Sequence, residues 1–290
     1  MKHSWTGGQY SGWRALFGLG LAIEGLRGID SGIGRLAWLV LGLAVAAGVR
    51  DRLAALLLVL VAIAEGWPGA WAVAPMLLLH AATRGSPYGT FDARGRADPG
   101  GNWILPRWNL ALRRLLVLVA AVACLARGQV EIGWLLGVAL ALAACDPGWI
   151  PPARAAGPAR VFYDGHCGLC HRFVRLILAE DLTGRSIRFA PLDSEAAREA
   201  FDERERASLP DSVVVKTAEG ATLFRSRGTL HILARLGGLW RLTAGLLRVV
   251  PRPVLDLGYN FVARVRHRIF ARAKTACPIV PRHLAARFDA

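Results

Sequence analysis

The chain changes character at residues 146–158, DPGWIPPARAAGP, and no single hydrophobic core suits both sides of that stretch. Four prolines and two glycines fall within it. Proline fixes φ and donates no hydrogen bond, so no regular element is expected to cross it. We read residues 1–146 as one domain, 147–158 as a linker and 159–290 as a second domain. Of the 290 residues, 54% are hydrophobic, too large an excess to be the core of one soluble domain. Residues 1–150 hold 13 Lys and Arg against 8 Asp and Glu, and residues 151–290 hold 23 against 13. Two thirds of the net charge of +15 therefore lies in the second half. Such a composition excludes a disordered chain, a collagen-like chain and a small disulfide scaffold.

Six apolar stretches mark the first half: residues 11–26, 36–49, 53–64, 70–82, 110–126 and 132–144. A membrane-spanning helix needs about 20 apolar residues. Several stretches reach that length only with their flanks. The pattern predicts an all-α polytopic membrane domain of about six helices. The N-terminus is not expected to be a signal peptide, because Arg14 interrupts its apolar run and no small-residue cleavage site follows. With six spans, one side carries Lys2, Arg50, Arg52, Arg84, Arg94, Arg96 and Arg107, and the other Arg27, Arg35 and Arg127. Basic residues near helix ends favour the cytoplasm, so both termini and the second domain are expected there, at an inner or plasma membrane.

Arg14 and Glu24 fall inside the first stretch, about 15 Å apart along a helix and too far to pair. Arg14 is expected to snorkel and Glu24 to reach another helix. The polar loop at residues 80–106 is either functional or a solvated basic loop near anionic lipid. The opening WTGGQYSGWRALFG resembles the start of membrane domains related to the vitamin-K-dependent carboxylase and HTTM group. That likeness implies a multi-helix membrane domain and transfers no catalytic residue.

After the linker, ARVFYDGHCGLCHRFVRLILA places a β-rich run, a turn and a helical pattern in succession. Cys167 and Cys170 thus fall in the first turn of a helix that leaves a strand. The thiolate is the reactive form of cysteine, and the partial positive charge of a helix N-terminus stabilises it. The spacing lets the two close into a disulfide across one turn. Cys167 is expected to be the more exposed, attacking thiol and Cys170 the resolving one. Asp164, at the strand end, is placed to accept or deliver the proton. Further strands are expected at residues 186–191, 209–215 and 221–225, and helices at 194–207 and 229–236, in the order βαβαββα.

Residues 160–289 resemble the DCC thiol-disulfide oxidoreductase family, named for its Asp-x-x-Cys-x-x-Cys pattern, here Asp164, Cys167 and Cys170. The likeness runs through LPDSVVV, FRSRGTLHILARLGGLWRL, VVPRPVLDLGYNFVARVR and CPIVPRHLAARF. It implies an α/β thioredoxin-like domain with extra C-terminal helices and dithiol–disulfide chemistry that needs no other cofactor. It also implies that Pro210 occupies the place of the proline, cis in such folds, that leads the strand facing the dithiol. His166 and His171 flank the pair as supporting residues.

The same residues admit other readings. Cys167-Gly-Leu-Cys170-His171 matches the c-type haem pattern, with His171 as axial ligand. Cytoplasmic placement, the preceding strand and the lack of methionine in this domain oppose it. Cys167, Cys170 and Cys277 with His166, His171 or His283 are a sparse zinc or copper set. A retired dithiol in a non-catalytic interaction module is the third reading. Cys277 is either a third exchange thiol or a buried small hydrophobe. Cys124 and Cys145 are placed near opposite ends of their spans and are not expected to bond each other; Cys145 lies on the dithiol's side.

Residues 239–274 carry Arg241, Arg248, Arg252, Arg264, Arg266, Arg268, Arg272 and Lys274 among apolar residues. No nucleic-acid motif accompanies them, and nucleic acid is not expected as a partner. A cationic amphipathic segment beside a bilayer is expected to lie on anionic headgroups. The expected partners are membrane lipids and a protein or small-molecule redox partner.

Overall fold

The computed structural model describes residues 4–85, 88–93, 103–127, 134–210, 213–269 and 282–289. The chain divides into two compact units that meet in sequence between Asp146 and Pro147.

The first unit is helical: α1 (Gly7–Gly28), α2 (Gly32–Ala47), α3 (Asp51–Ala64), α4 (Ala70–Ala82), α5 (Arg107–Arg127) and α6 (Trp134–Ala143). The Ser31 hydroxyl accepts the Gly34 N–H and starts α2, and Gly48 ends it in the left-handed region at φ +70°. Among the described residues one helical segment, Arg107–Ala126, is long and apolar enough to cross a membrane. The unit packs large and charged side chains inward: Trp5, Trp13, Trp38, Arg14 and Arg113 are fully buried. Ile33, Leu60, Ile63, Leu118 and Leu125 face outward. Helices α1 and α2 approach through glycine, since a Cβ on Gly42 would lie 2.8 Å from the Ala22 nitrogen.

Arg14 does not snorkel. Its guanidinium donates to the carbonyls of Val45, Ala46 and Gly89, and its Nε lies 3.7 Å from Asp51 Oδ2. In the last turn of α2 the Val45 carbonyl also accepts the Gly48 N–H, and the buried cation adds a bond to it and one to the Ala46 carbonyl. Glu24 finds its cation on its own helix, Arg27, at 4.0 Å rather than on another. The described part of the 80–106 loop folds back on the helix ends. Phe91 and Asp92 donate their N–H groups to Ala47 and Gly48, and Asp92 Oδ2 accepts the Arg50 N–H.

The second unit is a small mixed sheet with helices. Its elements are β1 (Ala159–Tyr163), α7 (Gly168–Glu180), β2 (Ile187–Pro191), α8 (Glu195–Ala200), α9 (Glu203–Ser208), β3 (Val214–Lys216), β4 (Thr222–Phe224), α10 (Arg225–Leu236), α11 (Gly238–Leu247), α12 (Arg252–Ile269) and α13 (Arg282–Ala285). The sheet order is β2-β1-β3-β4, with β1 parallel to β2 and both other pairings antiparallel. Alternation along the strands sorts the core into two faces. Val161, Tyr163, Phe189 and Val215 pack with Val174 and Ile177 of α7 and Ile232 of α10. Phe162, Ala190 and Val214 pack with Ala197 and Phe201 on the other face.

Several boundaries differ from the sequence expectation. The helix expected at 194–207 is two helices. Phe201 leaves the helical path to bury its ring against Phe162, and Asp202 then caps α9 in a reciprocal box with Glu205. The third strand begins at Val214 rather than 209, and α10 begins at Arg225 rather than 229. Residues 147–158 hold one short 3₁₀ turn, Pro147–Trp149, and are pinned rather than loose. Arg235 donates to the carbonyls of Ala153 and Gly157, and Arg241 to that of Pro151. Beyond β2, residues 287–289 extend the sheet edge: Phe189 donates to Arg287, and Asp289 donates to Phe189. Arg287 is tied to Asp181 at 2.8 Å. Covering the edge in this way removes a row of unpaired backbone groups.

Candidate functional site

The end of β1 turns sharply into α7. Asp164 Oδ1 accepts the His166 N–H at 2.8 Å, and the Asp164 carbonyl accepts the Cys167 N–H at 3.2 Å. An aspartate that bonds the backbone two residues on builds this kind of turn without help from the rest of the fold. Cys167 is then the N-cap of α7: its backbone is extended and its Sγ accepts the Cys170 N–H at 3.4 Å. A sulfur thus takes the position that serine or aspartate oxygen usually fills.

Both cysteines carry free thiols and both are buried, Cys167 at 2% exposure and Cys170 at 4%. The expectation of an exposed Cys167 does not hold. The turn folds Cys167 into the core cluster with Tyr163, Val174 and Phe189. Burial pushes the Cys170 thiol well above the ordinary range. The hydrogen bond and charge of Cys167 add to this, Arg266 opposes it, and Asp164 raises it further.

His171 is buried and its Nε2 bonds the Gly165 carbonyl at 2.8 Å, so that nitrogen carries a proton. Its ring stands edge-on to Tyr163 at 6.0 Å. A haem axial role needs a ring nitrogen that faces a ligand position; here Nε2 is committed to the turn. His166 is exposed on the turn. Among the described residues no three His, Cys, Asp or Glu side chains gather to hold a metal ion. Cys277 and the side chain of His283 lie outside the described residues.

Pro210 is half-buried and its peptide bond with Leu209 is trans, in contrast to the cis geometry that the resemblance implies. Val213, three residues on, lines a cavity of about 190 Å³. The other walls are Leu169, Cys170 and Phe173 from α7, Thr229 from α10, and Tyr259, Val262, Ala263 and Arg266 from α12.

Arg266 is the residue whose role the sequence reading missed. It was grouped with the arginines facing headgroups, yet it is 5% exposed and its charge reaches Cys170. The signal was present. Tyr259, Val262, Ala263 and Arg266 stand at i, i+3, i+4 and i+7, one stripe of a helix along the cavity, with Arg266 its buried end and Val262 at its open rim.

Comparison with known proteins places the likeness on this unit. Residues 161–272 match the family described as DCC1-like thiol-disulfide oxidoreductase. An uncharacterized protein, YuxK, of Bacillus subtilis (strain 168) is 32% identical over 136 residues, which are 45% of this chain and 94% of that protein. The DCC family protein At1g52590, chloroplastic, of Arabidopsis thaliana is 31% identical over 113 residues, 39% of this chain and 65% of that protein. No solved structure matches the chain.

Proposed function

The chain belongs to the DCC1-like thiol-disulfide oxidoreductase family, and from that premise we propose that it is a membrane-anchored oxidoreductase whose redox pair is Cys167 and Cys170. The observation that carries this reading is the Cys167 sulfur at the N-terminus of α7, accepting the Cys170 N–H. A donor aimed at a sulfur stabilises the thiolate, which is both the nucleophile and the better leaving group. The Cys167 thiolate attacks a partner disulfide, and Cys170 resolves the mixed disulfide. Two electrons pass to the partner and the pair closes. Asp164 handles the proton, and no cofactor beyond the dithiol is needed. A thioredoxin-like arrangement is supported by the parallel β1–β2 pair joined through α7 and by the antiparallel β3–β4 hairpin beside it.

The first unit is the anchor, embedded through several helices in an inner or plasma membrane, with the second unit on the cytoplasmic side. Its outward leucines and isoleucines and its inward arginines suit a lipid surround better than water. Helices such as α4, 13 residues and about 20 Å long, span only with their flanking residues. Leu246, Val249, Val254, Leu257 and Phe261 are exposed on α11, α12 and the turn between them, among Arg248, Arg252 and Arg264. That face lies on anionic headgroups, and nucleic acid is not a partner.

The decisive experiment equilibrates the full chain, in detergent, with graded thiol–disulfide buffers. One reversible two-electron midpoint is expected, lost in Cys167→Ser and in Cys170→Ser. Absence of any couple overturns the oxidoreductase reading in favour of a non-catalytic binding module. Release of the chain from membranes by alkaline carbonate overturns the integral anchor.

A further inference from the structure

The two cysteines are not equivalent toward the cavity. Cys170 lines it, whereas Cys167 is not among its lining residues and lies buried in the core cluster at the start of α7. The lining is apolar apart from the thiol, Thr229, the Tyr259 hydroxyl and Arg266. At about 190 Å³ it is a little larger than a cavity of ~150 Å³ that holds benzene. The space is open on one side, where Val262 is exposed, and a molecule with one ring or a short alkyl chain fits it. Arg266 in the wall is the one charge here that opposes the rise burial imposes on a thiol, as it does at Cys170.

We propose that this cavity admits a small apolar thiol, which reduces the Cys167–Cys170 disulfide by attacking the Cys170 sulfur. This rests on the redox pair proposed above and names the reductant and the sulfur it meets. The incoming thiolate forms a sulfur–sulfur bond to Cys170, the Cys167–Cys170 bond breaks, and Cys167 leaves as a thiolate. Its charge is received where the structure already aims a donor, the Cys170 N–H. A second molecule of the thiol attacks the substrate sulfur of the mixed disulfide. The small-molecule disulfide departs and Cys170 takes a proton from water. Two thiols are oxidised to one disulfide, and the protein disulfide is reduced to two thiols.

Arrival at Cys170 gives the site two separate sulfurs for its two half-reactions. The small donor is met through the cavity, and the disulfide partner is met by Cys167. The wall that sets donor size is the α12 stripe of Tyr259, Val262, Ala263 and Arg266. Ala263 is the position where added bulk fills the space with least disturbance to the α7 turn.

The test uses the oxidised full chain in detergent with benzyl mercaptan, quenched early by acid and alkylation, with each cysteine peptide read by mass spectrometry. The benzylthio adduct is expected on Cys170 and the alkylated thiol on Cys167. Adduct on Cys167 overturns the proposal. Ala263→Leu is expected to slow reduction by benzyl mercaptan about tenfold while the midpoint potential stays unchanged. An unchanged rate overturns the proposal as well. Val262→Ala, which enlarges the cavity, covers the case in which Ala263→Leu does not fold; it is expected to accept a bulkier aryl thiol that the parent excludes, and failure to do so counts against the cavity route. The midpoint measurement is separate: if no couple exists the redox reading fails, whereas a normal midpoint with adduct on Cys167 defeats only the cavity route.

Discussion

The Cys167 sulfur and the Cys170 backbone N–H are 3.4 Å apart, so one atom both caps a helix and belongs to the proposed redox pair. The two duties separate by substitution. Cys167→Ser keeps an acceptor at the cap and is expected to retain helix stability while losing the redox couple. Cys167→Ala loses both, with a stability cost of about 1 kcal/mol. Denaturant unfolding of the two variants checks the difference, and equal stabilities contradict the capping role.

The buried Cys170 thiol gives the midpoint a distinctive pH dependence. Its ionisation lies above the ordinary thiol range because burial, then the Cys167 contact, disfavour its charge. Each proton that the reduced pair retains contributes about 30 mV per pH unit to a two-electron midpoint. An ordinary pair stops binding protons above a pH of about 8.5 and its slope goes to zero. Here the slope is expected to persist near 30 mV per unit, since Cys170 keeps its proton. The same sign governs stability. Above the ordinary thiol pKa the unfolded chain loses this proton and the native chain does not, so the reduced protein loses stability as pH rises. Cys170→Ser is expected to abolish that loss, measured by unfolding at pH values on either side of the thiol range.

Asp164 offers a cleaner electrostatic probe than either cysteine. Asp164→Asn retains an oxygen to accept the His166 N–H but removes the charge that adds to the rise at Cys170. Alkylation of Cys170 against pH is expected to shift to lower pH in Asp164→Asn. Asp164→Ala loses the turn as well, and its redox couple is expected to become heterogeneous. Identical alkylation profiles for parent and Asp164→Asn show that the Asp164 charge does not act on Cys170.

Sequence period alone made the strand–turn–helix at 159–180 legible, because Val161, Tyr163 and the α7 stripe each repeat at their element's spacing. The helices of the first unit were legible for the same reason. Three things were not. Phe201 broke a helix because of a partner 39 positions away, Phe162, which local pattern does not contain. The burial of Cys167 follows from the tightness of the turn rather than from residue type. Arg266 was read by its charge, and only the packing of α12 shows that its side of the helix faces inward.

Helices α1 and α2 approach closely enough that no side chain fits at Gly18 or Gly42. A Cβ on Gly18 would lie 2.7 Å from the Gly42 carbonyl oxygen, and one on Gly42 would meet Ala22. Backbone is on the far side in both cases and cannot rotate away. Gly18→Ala is therefore expected to lower the melting temperature of the purified chain, and Gly18→Leu to prevent accumulation of the folded chain. A Gly18→Leu protein with unchanged melting behaviour contradicts the packing of these two helices.

Asp51 is the carboxylate that a buried cationic cluster depends on. Its Oδ2 lies 3.7 Å from Arg14 Nε and 3.6 Å from His80 Nε2, and His80 Nδ1 bonds the Tyr10 hydroxyl at 2.7 Å. Arg113 donates to that same hydroxyl at 3.2 Å and to Asn109 at 2.7 Å, with its guanidinium 4.1 Å from the Trp13 ring. Both arginines are almost fully buried, and Asp51 is the carboxylate that stands within ion-pair distance of Arg14 among the described residues. Removing the carboxylate from a buried pair costs about 3–5 kcal/mol, because the remaining charge has no compensation. Asp51→Asn is expected to destabilise the first unit by that order. Arg14→Met in the Asp51→Asn background is expected to recover part of the loss, since it removes the stranded cation and leaves an apolar side chain of similar length. Thermal unfolding of the two variants in detergent reads the recovery directly. A double variant no more stable than Asp51→Asn alone shows that the Arg14 bonds to the α2 carbonyls outweigh the ion pair.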